Sequence, residues 1–205
     1  FQKQLENIRQ DFVANVSHEL KTPITSILGY IELLREDRFN ELQRTDFLNR
    51  VFNQTNRMNL IIDDLLRLSK IESQEEDSTI ELQETPLNQI LEGAKDDISD
   101  SANNYQNKIN IHCDDELFIN ANSQLLREAV SNLIENGIKY GHKGKEINLI
   151  GENCNEKTEI HIDNYGNQIS PSQHNKIFQR FYRVDKSRDR EAGGTGLGLS
   201  IVKHI

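Results

Sequence analysis

The sequence predicts a helical hairpin that forms a dimeric four-helix bundle, followed by an α/β two-layer sandwich. Residues 1–72 carry two long apolar stripes with helical spacing, and residues 79–205 alternate short strand-like runs with helical patterns. An acidic and polar segment at 73–78 separates the two patterns. We therefore expect a hairpin domain at 1–72, a linker at 73–78 and a second domain at 79–205.

The composition limits the class of protein. The 205 residues include 33 acidic and 24 basic side chains, a formal net charge of −9, which argues against a nucleic-acid partner. The sequence has no run of 18 apolar residues, so we expect no membrane contact by this segment. Because Phe1 is not a natural first residue, we expect a cytoplasmic piece of a longer protein, which an inner membrane could anchor.

Two apolar stripes define the predicted hairpin. Their members are Leu5, Ile8, Phe12, Val16, Leu20, Ile24, Ile27, Ile31 and Leu34 in the first helix, and Phe47, Val51, Met58, Ile62, Leu65 and Leu68 in the second. One hairpin cannot bury both stripes well. We therefore expect a homodimer in which a second copy completes the bundle.

His18 is the first candidate for chemistry. It lies two residues from apolar positions on either side, which places its side chain on the face opposite the stripe. Thr22 follows one turn later on the same face. Pro23 cannot donate a backbone hydrogen bond to the carbonyl of Glu19, so we expect the helix to be loosened there. Taken alone, this pattern also fits an ordinary exposed histidine.

The second domain is predicted to mix strands and helices. Strand-like runs lie at Thr79–Gln83, Lys108–Cys113, Leu117–Asn120, Glu146–Glu152 and Thr158–Asn164, and helical patterns at Leu87–Ala102 and Ser123–Tyr140. A glycine-rich run, Gly193–Gly198, opens a final helix. Strands mixed with helices in this way indicate a layered α/β domain.

One helix and three later segments contain groups that suit a nucleotide. Asn132 and Asn136 share a helical face with Lys139, and amide oxygens with an ammonium group suit a metal–phosphate ligand. The segments IHIDNYGNQI, IFQRFYRVDKSRDR and GGTGLGLSIV follow. Glycines let backbone N–H groups approach phosphate closely, although the last segment lacks the Lys-Ser/Thr of a P-loop. Each segment alone also fits a polar surface or a turn.

Together with FVANVSHELKTPITSILGY around His18, these segments resemble the H, N, G1, F and G2 boxes of bacterial sensor histidine kinases, in order and approximate spacing. The runs FYRVDKSR and GGTGLGLSIVKHI resemble the phosphate-regulon-sensor type. The resemblance implies an ATP-binding sandwich of the kind shared with gyrase and the Hsp90 chaperone. It also implies autophosphorylation of a histidine and transfer of the phosphoryl group to an aspartate of a response regulator.

The resemblance also assigns roles to residues. His18 would accept the phosphoryl group, Glu19 would take its proton, and Thr22, in a Glu-x-x-Thr pattern, would serve phosphatase activity toward the regulator. The cofactors would be ATP and Mg²⁺. The nucleotide would be held by Asn132, Asn136 (the Mg²⁺ ligand), Lys139, Tyr140 (on the adenine side), Lys143, Asn164, Gly166, Arg183 and Leu197, under a lid hinged at Gly194, Gly196 and Gly198.

The sequence departs from the family pattern in two places. Asn164 stands where the family usually has the adenine-binding aspartate, and Gln168 replaces the second glycine of the same box. Asp163 is one residue away, on the other face of the predicted strand. The family also continues past Ile205 with further strands, so we expect an incomplete second domain. These departures leave open a degenerate, non-catalytic dimeric module that docks a response regulator.

Overall fold

The computed structural model describes residues 2–76, 80–155, 157–184 and 194–205. The helices are α1 (Gln2–Leu34), α2 (Glu41–Glu76), α3 (Leu87–Asp97), α4 (Ser99–Tyr105), α5 (Ser123–Tyr140) and α6 (Gly198–His204), and the strands are β1 (Gln83–Pro86), β2 (Lys108–Cys113), β3 (Phe118–Ala121), β4 (Glu146–Cys154) and β5 (Lys157–Asn164). The chain divides into two compact units. One combines residues 1–67 with 185–197, and the other combines 68–184 with 198–205.

The first unit contains the predicted hairpin as far as residue 67. A capping box starts α2, because the Asn40 side chain accepts from the Gln43 backbone at 2.9 Å while the Gln43 side chain accepts from the Asn40 backbone at 3.1 Å. Three aromatic rings pack beside this turn, with the ring centroid of Phe47 5.9 Å from that of Tyr30 and 5.1 Å from that of Phe39. These contacts fix where the chain reverses direction.

Each helix of the hairpin has an apolar row that a single chain leaves exposed. The rows are Val13, Ile24, Leu28 and Ile31 on α1 and Leu48, Phe52, Ile62 and Leu66 on α2. At 100° per residue, they fall within arcs of about 60° and about 80° of their helices. Within a single hairpin Ile61 is buried, whereas Ile62 of the predicted α2 stripe lies in the exposed row, as Ile24 and Ile31 of the predicted α1 stripe do. Each row is an exposed apolar face suited to burial against another helix pair.

The second unit is a layered α/β structure. Its main sheet has the strand order β2-β4-β5, with β2 parallel and β5 antiparallel to β4, and a separate two-stranded sheet pairs β1 with β3. Helices α3, α4 and α5 pack near this sheet around one apolar core. The core consists of Leu87, Leu91, Ala94, Ala102, Leu117, Val130, Ile134, Ile138, Ile147 and Leu149. Each large aliphatic side chain buried there contributes about 1.5–3 kcal/mol.

An ion pair joins α3 to α5 at the edge of the core. The Arg127 guanidinium donates to both carboxylate oxygens of Asp97, at 2.7 and 2.6 Å. These hydrogen bonds hold the pKa of Asp97 below its usual range. Gly93 leaves room for the arginine, because an added Cβ there would lie 2.9 Å from the guanidinium carbon.

The predicted fold class is confirmed, with local differences in element bounds. The helical pattern predicted at Leu87–Ala102 divides in two because Ile98 leaves the helical conformation, with φ −105° and ψ 4°. The predicted strand Thr79–Gln83 lies too early, since β1 starts at Gln83. Helix α2 continues to Glu76, past the predicted domain boundary at 72, and residues 77–79 lie outside the described part of the chain. The predicted domain bounds stay a prediction.

Candidate functional site

His18 lies on the outer face of α1, as the sequence predicts. Its side chain is 72% exposed, and its Nδ1 atom is 4.0 Å from Oε1 of Glu19. That distance is longer than a hydrogen bond. The more distant ring nitrogen, Nε2, is therefore the one left to react with an incoming group.

Glu19 faces the second helix of the hairpin. Its Oε2 atom accepts a hydrogen bond from Nη2 of Arg57 at 3.2 Å, and the side chains of Glu19 and Arg57 are only 18% and 11% exposed. An ion pair this far removed from water is screened less than a surface pair. The pair therefore fixes one carboxylate oxygen while the other faces His18.

Thr22 and Pro23 lie within a continuous helix. The Thr22 hydroxyl donates to the His18 carbonyl at 3.1 Å, and Ser26 and Thr25 make similar bonds to the carbonyls four residues earlier. Pro23 is fully buried, and α1 runs through it from Gln2 to Leu34. The Thr22 hydroxyl uses its proton in this bond but keeps two lone pairs that can accept from water.

Helix α5 presents the predicted amide face. It begins at the N-cap Asn122, whose side chain accepts from the Leu125 backbone at 3.0 Å. Its core-facing side contains Ala129, Val130, Ile134, Gly137 and Ile138, whereas Asn132 and Asn136 are half-buried together on the side opposite Ile134. Lys139 pairs with Glu135 at 2.9 Å and is 20% exposed. The lysine is therefore held against the helix rather than extended into solvent.

The glycine of the predicted G1 box lies directly against the end of α5. Gly166 forms an antiparallel bridge with Gly141, and the His142 backbone N–H donates to the Tyr165 carbonyl at 2.6 Å. A Cβ added to Gly166 would lie 2.9 Å from the Tyr140 carbonyl oxygen. Only a glycine allows this turn to approach the helix so closely. Tyr140, the predicted adenine-side residue, is 42% exposed here.

Asn164 and Asp163 point to opposite faces of β5. Asn164 is in phase with the half-buried Ile160 and Ile162, and its Nδ2 atom donates to the Gly137 carbonyl at 3.5 Å. Asp163 is on the exposed face of the strand. The structure thus brings Asn164, and not Asp163, beside α5. An amide that donates through its nitrogen still has an oxygen that can accept from a base.

Lys143 lies in a turn between α5 and β4. The buried Asn107 donates to the His142 carbonyl at 3.1 Å and to the Lys145 carbonyl at 2.8 Å. Gly144 has a φ of +75°, a left-handed value that favours glycine. The hydrogen bonds from Asn107 and the conformation of Gly144 stabilise this turn, in which the Lys143 side chain is exposed to solvent.

The predicted lid residues fall in both units. Gly196 has a φ of +77°, and Leu197 is fully buried. Within the first unit, the Thr195 hydroxyl donates to Asp64 at 2.6 Å and accepts from the Leu197 backbone at 3.2 Å. Gly194 is buried in this unit as well.

Gly198, in the second unit, begins α6 beside Asn132. A Cβ on Gly198 would lie 3.5 Å from the Asn132 amide oxygen. Arg183, also in the second unit, is half-buried. Residues 185–193, which contain the rest of the predicted F box and Gly193, lie outside the described residues.

Two residues of this site were not singled out from the sequence. Arg57 lies one turn before the buried Ile61 on α2, and an arginine in line with a buried apolar position is a signal of a buried partner. Asn107 precedes β2 and is buried, but nothing in the local sequence relates it to the turn that carries Lys143. Both act through contacts across more than 30 residues of sequence.

Comparison with known proteins identifies the family. Residues 8–74 match the His Kinase A (phospho-acceptor) domain, and residues 121–205 match the Histidine kinase-, DNA gyrase B-, and HSP90-like ATPase domain. The chain belongs to the sensor histidine kinases, of which it contains these two catalytic-core domains. The family predicted from the sequence is confirmed.

Two kinds of sensor protein, PhoR and WalK, match the chain with nearly the same sequence identity. The phosphate regulon sensor protein PhoR of Haemophilus influenzae is 34% identical over 200 residues, which are 98% of this chain and 46% of that protein. The sensor protein kinase WalK of Staphylococcus haemolyticus is 35% identical over 209 residues, which are 100% of this chain and 34% of that protein. The chain thus spans less than half the length of either relative.

Solved structures support the fold. The histidine kinase AdeS of Acinetobacter baumannii has a TM-score of 0.67 and 22% identity, covering 91% of this chain and 84% of that one. The histidine kinase ThkA, in complex with the response regulator protein TrrA, has a TM-score of 0.71 and 22% identity, covering 88% of this chain and 53% of that one. In the described part of the chain, no helix has the length and apolar character of a membrane span.

Proposed function

We propose that this protein is an ATP-dependent protein-histidine kinase that phosphorylates His18 and passes the phosphoryl group to an aspartate of a response regulator. The observation that carries the proposal is the exposed His18 imidazole beside the carboxylate of Glu19. Membership of the sensor histidine kinases supports it. The cytoplasmic location predicted from the sequence stays a prediction.

The proposed chemistry assigns a separate task to each ring nitrogen of His18. The Nε2 lone pair attacks the γ-phosphorus, the new N–P bond forms, and the bond to the ADP oxygen breaks with its electron pair leaving on ADP. The Nδ1 proton passes to Glu19, whose Oε1 is 4.0 Å away. Catalytic hydrogen bonds commonly shorten to bonding distance when the reactants bind.

The amide face of α5 fits a nucleotide with its metal ion. The buried Nδ2 atom of Asn132 has no hydrogen-bond partner among the described residues, so a phosphate oxygen would satisfy a donor that is otherwise costly to bury. Asn136 offers an amide oxygen, a ligand type that Mg²⁺ accepts. When bound, Mg²⁺ would neutralise charge on the phosphates. Asn164 would accept from the adenine amino group, and Lys139 and Lys143 would face phosphate oxygens.

Labelling with radioactive ATP and Mg²⁺ tests the proposal. We expect acid-labile label on the unmodified protein, none on His18→Ala, and none on Asn136→Ala. Asn104→Ala is a matched control, because Asn104 is an exposed amide on α4, outside the proposed site. Normal labelling of His18→Ala would contradict the assigned phosphoacceptor, and normal labelling of Asn136→Ala would contradict the assigned metal ligand.

The proposed working form is a homodimer. Burying the exposed rows of α1 and α2 against a second hairpin removes apolar surface from water, which favours association. We expect a dimer in sedimentation equilibrium at micromolar concentration, and mainly monomer for Phe52→Glu. Leu42→Glu is the control, since Leu42 is 83% exposed but lies about 120° around α2 from Leu48 in the apolar row. A monomeric unmodified protein would refute the dimer.

A second function is favoured by the amide at position 164. If Asn164 binds adenine too weakly, the protein would act as a dimeric docking module without kinase activity. Titration calorimetry with ATP separates the two functions. Phosphoryl transfer is tested by mixing the labelled protein with receiver domains from the source organism. For a kinase, we expect the label to move from His18 to one of these receiver domains. A dimer that neither binds ATP nor becomes labelled supports the docking module.

A further inference from the structure

The ion pair between Glu19 and Arg57 connects the surroundings of His18 on the first helix with the second helix of the hairpin. We infer that Arg57 is a positioning residue, which orients the Glu19 carboxylate toward His18 for proton transfer. The inference rests on the proposed function, since it concerns the rate at which His18 is phosphorylated. It assigns a task to a residue of α2 that acts through Glu19.

The two oxygens of Glu19 face different partners. Oε2 is 3.2 Å from Nη2 of Arg57, and Oε1 is 4.0 Å from Nδ1 of His18. A carboxylate anchored through one oxygen loses rotational freedom, so its other oxygen is directed to one place. Because a general base must lie within hydrogen-bond reach of the proton that it removes, this orientation affects the rate directly.

Burial distinguishes this pair from the exposed ion pairs of the same hairpin. The side chains of Arg57 and Glu19 are 11% and 18% exposed, whereas those of Arg50 and Asp46 are 55% and 54% exposed. Exposed pairs hold their side chains weakly, because water and salt screen the attraction. Arg57 can therefore restrain its carboxylate, and Arg50 provides a matched arginine on the same helix that cannot affect His18.

A purely structural task is the competing explanation. Arg57 could join α1 to α2 and stabilise the hairpin without influencing the reaction. In that case its removal would lower stability, and any loss of rate would be independent of Glu19. A positioning residue differs in one measurable way: its effect on the rate disappears once Glu19 is no longer a carboxylate.

A double-mutant cycle measures this difference. The variants are Arg57→Met, Glu19→Gln and the double variant, with Arg57→Lys as the conservative change and Arg50→Met as the control. We expect Arg57→Met to lower kcat for labelling by roughly ten- to a hundredfold, a part of the roughly 10²–10⁴-fold that a positioned base contributes. The KM for ATP should stay within about twofold, because the nucleotide contacts are made by α5 and its neighbours.

Three further results are expected from the cycle. Arg57→Met should change the rate of the Glu19→Gln protein by less than about twofold, Arg57→Lys should recover part of the rate, and Arg50→Met should behave like the unmodified protein. Multiplicative losses in the double variant, or equal losses in Arg57→Met and Arg50→Met, would overturn the inference. If Arg57→Met does not fold, the shorter and uncharged Arg57→Gln enters the same cycle with the same expected results.

A measurement without ATP separates this inference from the proposed function. Nitrogen chemical shifts of the His18 imidazole, above pH 8, report which ring nitrogen carries the proton. An oriented Glu19 carboxylate favours the proton on Nδ1, so the Nδ1–H form should decrease equally in Arg57→Met and Glu19→Gln. An unchanged proton distribution in Arg57→Met would refute the positioning task, whatever the labelling result. Absence of ATP labelling in the unmodified protein would refute the proposed function alone.

Discussion

Replacing Gly166 with alanine tests how closely the G1 turn must approach α5. The added Cβ would lie 2.9 Å from the Tyr140 carbonyl oxygen and 3.2 Å from the Gly141 Cα. Both neighbours are backbone atoms that cannot rotate away, and ordinary contact of a Cβ begins at about 3.4 Å. The turn must therefore move outward by about half an ångström, taking Asn164 with it.

The expected cost follows from this displacement. Overpacking a tight contact costs about 1–3 kcal/mol, and the movement also strains the 2.6 Å hydrogen bond from His142 to the Tyr165 carbonyl. We therefore expect the free energy of unfolding of the second unit to fall by about 1–3 kcal/mol. Affinity for ATP should fall roughly tenfold or more, since a 1.4 kcal/mol change is tenfold in binding and Asn164 is displaced.

Gly137→Ala is the matched control for this substitution. A Cβ on Gly137 would meet its nearest neighbours at 3.5 Å, an ordinary contact distance. Alanine is also favoured over glycine inside a helix by about 1 kcal/mol. Thermal denaturation and ATP calorimetry on both variants give the comparison. If Gly166→Ala matches the unmodified protein in both stability and ATP affinity, the close approach of turn and helix does not matter and the reasoning is wrong.

Three further predictions concern single side chains. Asn164→Asp should keep or strengthen ATP binding while Asp163→Asn changes it little, and calorimetry in which Asp163→Asn alone causes a large loss would show that the strand register is wrong. Thr22→Ala should slow dephosphorylation of the regulator but largely spare autophosphorylation, whereas a parallel fall of both rates would indicate that the Thr22 hydroxyl only supports the helix. Because the pKa of Asp97 is lowered in the folded protein, the stability gained from its pair with Arg127 should be complete above about pH 4 and disappear as the pH falls further. Denaturant unfolding of Arg127→Met should thus differ from the unmodified protein at pH 7 and approach it as the pH falls below about 4, and a difference that does not depend on pH would contradict this.

The sequence by itself determined the family, the fold class and the exposure of His18. These depend on patterns that are local in the chain: the helical period of the two stripes, the period of two in β5, and the order of five short motifs. The helix over Ser123–Tyr140 and the strand over Lys108–Cys113 were predicted with the bounds that the structure has. The alternation along β5 likewise placed Asn164 and Asp163 on opposite faces.

Only the tertiary structure decided which side chains support the reactive ones. The pairing of Glu19 with Arg57 spans 38 residues, and the contact of Gly166 with Gly141 joins the end of a strand to the end of a helix. It also decided that Ile61, rather than Ile62, is buried. Adjacent positions on a helix differ by only 100°, so the exact orientation of α2 against α1 chooses between them. Periodicity predicts which face of a helix or strand is buried. Which side chains that face contacts depends on packing between segments that are distant in the chain.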